Sequence, residues 1–249
     1  MSCTADRKQG RRSAEDAEKT KCRIMCVASQ LFCEQGFDRV SIRNISEKAG
    51  VSHSLIRHHF GSKEKIWQSI SDGLHCFMEE YRSRLMEEMG NNMPANEYLY
   101  HFATKMLALM LVNPAPIQLI ADAVRQETGE LVDYFINSTD SMQSFFLDLA
   151  SKHNAQFPES TVDIYEFKWQ MMLYSHGAAS LKPFMQEIWP EETMTSDGRL
   201  LAHWTMFEGY AASHLAISPE QRLKPSHLEE LVIMDMVKAW NDALDESNS

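Results

Sequence analysis

The sequence predicts an all-α protein: an N-terminal three-helix bundle with a helix-turn-helix, joined by a long helix to a larger C-terminal helical domain. Three observations carry that expectation. Apolar residues recur at helical spacing in one segment after another, and no stretch alternates as a half-buried strand would. Short runs that open on serine and close on glycine succeed one another between residues 41 and 62. Charge is divided as well: residues 1–67 hold thirteen Lys/Arg against eight Asp/Glu, and the rest of the chain holds eleven against twenty-seven.

Residues 1–19 carry Arg7, Lys8, Arg11, Arg12 and Lys19 with no apolar stretch behind them, so a flexible basic arm is expected there and not a secretory signal. Residues 20–35 put Ile24, Ala28, Leu31 and Phe32 on one helical face and stop at Gly36. Ser41 is placed to cap a second helix bearing Ile42, Ile45 and Ala49, which Gly50 ends. Ser52 then caps a very short third helix whose Ile56 and Phe60 point the same way. Ser62 opens a fourth, with Ile66, Ile70, Leu74, Phe77, Tyr81 and Leu85 on one stripe. Running to Gly90-Asn91-Asn92, it would be about 40 Å long, which suits a connector between domains. The domains are therefore expected at 20–68 and 69–249. Beyond Pro94, proline- and glycine-rich breaks separate further amphipathic runs up to residue 244.

Composition narrows the classes. With 249 residues, 44% apolar and 24% charged, the chain is an ordinary globular protein, not a disordered, collagenous or disulfide-stapled one. Its five cysteines are an odd number without CxxC spacing, which suits a reducing compartment, the cytoplasm. The apolar stretch Leu99–Val112 is broken by His101 and Lys105 and is shorter than the roughly 20 residues a membrane span needs, so no membrane is expected as a partner. HExxH, Walker, GxSxG and GxGxxG patterns are missing, which leaves no support for an enzyme, a cofactor or a metal. Cys22, Cys26 and Cys33 fall within about 40° of one another on the first helix, opposite its apolar stripe. Incidental exposed thiols explain them more simply than a redox sensor does.

The informative stretch is residues 41–65, where two short helices meet at a glycine and Ile45, Val51 and Ile56 are spaced to pack together. Isolated helices under about 12 residues are marginal, so the third must be held by its neighbours. Counted at about 100° per residue from inward Ile56, Phe60 stays close by, whereas Arg57, Ser54 and His58 turn away. Donors on one exposed face suit the major groove of DNA. A forked guanidinium at Arg57 matches guanine N7 and O6, and His53, Ser54 and His58 can address single acceptors. Phosphates would meet helix N-termini, at Ser41 with Arg43, at Ser52, and at Ser62 with Lys63.

This stretch resembles the TetR/AcrR-like transcriptional regulators. The matching residues are Ile24, Ala28, Leu31-Phe32, Gly36-Phe37, Ser41, Ile45, Ala49-Gly50-Val51-Ser52 and His59-Phe60-Gly61-Ser62-Lys63-Glu64. The resemblance covers residues 22–67. It implies a homodimer of nine or more helices, with an N-terminal DNA reader and a C-terminal domain that dimerises and binds a small ligand. Carried over, Arg43, His53, Ser54, Leu55, Arg57 and His58 match base-reading or groove positions, and Ser41, Ser52, His59 and Lys63 match phosphate contacts. Many members carry tyrosine where this chain has Arg57, a departure that bears on the operator sequence.

For the ligand, the methionines and aromatics of the C-terminal half, together with the resemblance, point to Phe102, Met106, Phe135, Phe145, Trp169, Met172 and His176 as pocket lining. Residues 199–216 and 227–245 are expected to form the dimer, with 161–181 as the rival. The expected function is a cytoplasmic repressor that binds a palindromic double-stranded DNA operator as a homodimer and is released by a small hydrophobic effector. The alternative is a helical small-molecule-binding dimer whose DNA binding is vestigial or architectural.

Overall fold

Helix α1 (Ala5–Gln35) begins well before residue 20 and places Ile24, Val27, Ala28, Leu31 and Phe32 in a core. The computed structural model describes the backbone over residues 5–90, 92–126, 128–137 and 140–245, and the side chains over 16–90, 92–126, 128–137 and 144–242. Residues 5–19, expected as part of a flexible arm, are thus helical, and residues 1–4 lie outside the described residues. The reason is local. Ala14, Glu15, Ala17, Glu18 and Lys19 favour helix, and Lys21 pairs with Glu18 one turn earlier at 2.8 Å.

The described residues hold twelve α-helices and no strand: after α1 come α2 (Ile42–Ala49), α3 (His53–His59), α4 (Lys63–Met89), α5 (Ala95–Val112), α6 (Ala115–Ala123), α7 (Glu130–Asn137), α8 (Asp140–Gln156), α9 (Ile164–Ser180), α10 (Lys182–Ile188), α11 (Ser196–His214) and α12 (Met234–Asp245). They fall into two compact units. The first comprises Met1–Leu74 with Asp122–Phe135 and Asp235–Ser249, and the second His75–Ala121 with Ile136–Met234. The division falls inside α4, at residues 74/75, where the sequence reading set its boundary at 68/69. Two later segments also join the first unit, which periodicity could not reveal because it records local faces and not long-range docking.

In the first unit α1, α2, α3 and the start of α4 close around Leu31, Phe32, Phe37, Ile45, Ile56, Ile66 and Trp67, all buried. In the second, α5 is the central helix and packs against α8, α9 and α11. Twelve of its eighteen residues are buried, so it is apolar nearly all round. Phe102 anchors an aromatic group there, its ring 4.8 Å from Phe145 and 5.6 Å from Phe146 in edge-to-face geometry. Several polar groups of this core find partners: Trp204 donates to the Thr104 carbonyl at 2.9 Å, and Tyr100 donates to buried Glu208 at 2.6 Å. Arg222 forms an ion pair with the same carboxylate. Replacing Phe102 with alanine should lower stability by about 3–5 kcal/mol. The urea midpoint checks this, and an unchanged midpoint would mean that the aromatic group does not anchor this core.

Candidate nucleic-acid interface

Local chemistry sets where the two short helices begin and where α2 ends. Ser41 adopts extended dihedrals and accepts a hydrogen bond from the Asn44 amide at 3.2 Å, while the Asn44 side chain accepts from the Ser41 amide at 2.9 Å. The other end of α2 turns on Gly50, at φ 64° in the left-handed region, and the Val51 amide reaches back to the Ser46 carbonyl. Two residues later Ser52 accepts from the Leu55 amide at 3.2 Å and starts α3. That helix has seven residues, and Ile56 is its buried one. The geometry follows from this single anchor: with Ile56 inward, His53, Ser54, Arg57 and His58 are exposed, and Leu55 and His59 are half-buried.

The expected phosphate-contact residues fare less evenly. Ser41 and Ser52 are exposed at helix N-termini, but both hydroxyls already serve as caps. Arg43 extends into solvent and pairs with Glu47 at 2.8 Å across one turn, an exposed pair that a phosphate can displace cheaply. His59 packs edge-on against the rings of His58 and Phe60, leaving only part of its imidazole outward. Lys63 has a role the sequence did not show. Its ammonium donates to the Phe37 carbonyl at 2.8 Å and lies 4.0 Å over the Phe37 ring, and burial draws its pKa downward. This side chain is an internal tie as well as a charge.

Sequence reasoning missed what holds the turn between α1 and α2. The Asp122 carboxylate accepts from the Phe37 amide at 2.5 Å, so Phe37 is gripped at its N–H by Asp122 and at its carbonyl by Lys63. Gly36 has φ +85°, and a Cβ there would lie 2.9 Å from an Asp122 oxygen; the position needs glycine for both conformation and space. Asp122 is 85 residues from Phe37 in sequence, and no local signal reports it. The cysteines are also corrected. Cys26 is fully buried, and burial, helped by Asp122 and Glu34, pushes the Cys33 thiol up to about 11, away from the reactive thiolate.

None of the seven residues expected to line a ligand pocket lines either of the two clefts described below. Phe102 and Met106 are core residues, and Phe145 packs on Phe102. Phe135 belongs to the first unit, not the second. Trp169 and Met172 are 58% and 50% exposed, and His176 is half-buried, which draws its pKa down. Two clefts of the second unit are lined by other residues. One, of about 280 Å³, lies between α11 and the segment 219–225, with Trp204, Glu208 and Arg222 in its wall. The other, of about 90 Å³, includes Met110, Gln118 and Arg199.

Comparison with known proteins agrees with this geometry. Residues 24–70, the segment that folds into α1–α4 around Ile56, match the family described as "Bacterial regulatory proteins, tetR family". The family match thus lies in the segment that carries the two short helices. The chain is 27% identical over 132 residues to the transcriptional regulator TtgR of Pseudomonas putida, covering 53% of this chain and 58% of the relative. With the regulatory protein RaaS of Mycobacterium tuberculosis it shares 37% identity over 111 residues, covering 44% of this chain and 46% of the relative. The chain thus matches about half the length of these relatives. A solved structure of FadR from Bacillus subtilis, in complex with stearoyl-CoA, aligns over 77% of this chain and 97% of its own with a TM-score of 0.55 at 16% identity, which shows the all-helical fold.

Lys63→Ala should weaken binding to all duplexes alike by loosening the turn. It should change the slope of log affinity against log salt by less than the roughly 0.9 expected for a full phosphate contact. A titration from low to high salt reads this, and a full loss of that size would make Lys63 a plain phosphate ligand.

Proposed function

We propose that the chain is a ligand-responsive transcriptional repressor of the cytoplasm, which binds a palindromic operator as a homodimer and is released by a small effector with apolar character. The observation that carries the reading is the outward set His53, Ser54, Arg57 and His58 on a helix held by buried Ile56, within residues that match the TetR family. Arg57 supplies the fork that addresses guanine, the two histidines and the serine supply single hydrogen bonds, and Leu55 offers an apolar contact to a thymine methyl. Ser41, Arg43, Ser52, His59 and Lys63 border that face and position it on the backbone. No single helix among the described residues is long and apolar enough to cross a membrane.

A palindrome needs two copies, and the second unit has a surface suited to one. On α9, Tyr165, Trp169, Met172 and Leu173 share a stripe about 100° wide. With Leu181, Phe184 and Ile188 around α10 they are 47–69% exposed. Side chains of this size leave on the order of 800 Å² uncovered, about what one partner gives to a stable interface. This favours the rival segment 161–181 over 227–245, whose helix α12 groups with the first unit. Trp169 and Met172 are then dimer residues and not pocket lining. Trp169→Glu should give a monomer by light scattering, with operator affinity reduced by at least about tenfold through loss of the second half-site. A variant that stays dimeric removes this face from the account.

Selection of random duplexes on the full chain tests the function itself. An enriched palindrome with half-sites one turn or a multiple apart supports the repressor, whereas no enrichment supports a small-molecule-binding dimer without operator recognition. On the selected site Arg57→Ala should cost about 1–3 kcal/mol and relax preference at one base pair per half-site. Wild-type affinity in that variant would remove Arg57 from the reading face. Release can be probed first with stearoyl-CoA, the ligand named for the Bacillus subtilis FadR structure.

A further inference from the structure

We infer that the cavity beside Arg199 is a carboxylate site, taking the head group of a small amphiphilic monocarboxylate. This rests on the ligand-responsive reading above and names its effector class. Arg199 is 3% exposed, yet it lines the cavity. One guanidinium nitrogen, Nη1, donates to the Trp189 carbonyl at 2.9 Å and to the Met194 carbonyl at 3.1 Å, which fixes the plane of the group. The acidic group facing Nη2 belongs to Glu191, 3.9 Å away and 81% exposed. That separation is too long for a hydrogen bond. Five N–H groups in a rigid fork are therefore only partly used, and the edge formed by Nη2 and Nε is the one that takes a carboxylate in two parallel bonds.

A buried cation compensated by two carbonyls and one distant carboxylate is costly. An incoming carboxylate repairs the deficit, and the rest of the lining is matched to one. It contains no acidic residue. Lys182 adds a second positive charge at the exposed rim, and Gln118, Gln186 and Ser196 offer neutral hydrogen bonds. Met110, Leu111 and Leu200 supply apolar wall for a tail. At about 90 Å³ the space is smaller than the roughly 150 Å³ cavity that holds benzene, so it admits a head group and a few carbons. Glu191 would swing into solvent as the ligand arrives.

Butyrate, with butanol as its uncharged counterpart, makes the test on the full-length protein. In a saturation-transfer NMR titration butyrate should bind at least about tenfold more tightly than butanol, the minimum for a hydrogen-bonded charge. Ala179→Leu, which fills the cavity and leaves Arg199 in place, should abolish that binding while the urea midpoint is kept. Arg199→Gln should erase the preference for butyrate over butanol. Equal affinity for the two probes, or undiminished butyrate binding in Ala179→Leu, would overturn the site. Butyrate binding without any loss of operator affinity would leave the site standing and refute its role as an effector. Operator release by a different compound, with no butyrate bound, would refute the site and leave the repressor reading intact.

Discussion

Seven residues of α-helix do not persist in water, since nucleation is unfavourable and too few hydrogen bonds follow it. α3 exists because Ile56 is buried, because the helix packs against α2, and because Ser52 and the turn at Gly50 set its start. The same anchor decides which side chains face out: a single inward residue fixes the rotation of the helix, and that rotation exposes Arg57, Ser54 and His58 together. Shifting the buried residue by one position would turn the donors about 100° away from any groove they are to enter.

Support for that small bundle comes from beyond its own sequence. The turn that leads into α2 is clamped at Phe37 by Asp122 on one side and Lys63 on the other, both within the first compact unit. Asp122 lies at the end of α6, and α6, like α4, contributes residues to both units.

How much was legible in the sequence follows from how local each signal is. The helix-turn-helix could be read because its caps, its left-handed glycine and its anchors lie within a few residues of one another. The long α4 could be read because its stripe is regular. The exposure of Trp169 and Met172 could not, because they sit on an apolar stripe as clear as any core stripe, and periodicity does not say what covers such a stripe. Arg199 gave no signal at all: a charged residue near the start of a helix reads as solvated until the surrounding chain buries it. Lys63 was placed correctly at the start of α4, but its bond to Phe37 depends on the fold.

Dimethyl sulfate, which methylates guanine N7 in the major groove and adenine N3 in the minor groove, tests the central claim most directly on a selected operator. The account predicts that the bound protein protects guanine N7 at two places about ten base pairs or a multiple apart. Protection confined to adenine N3, or absent from guanine N7 in a complex that is otherwise fully formed, would show that α3 does not enter the major groove.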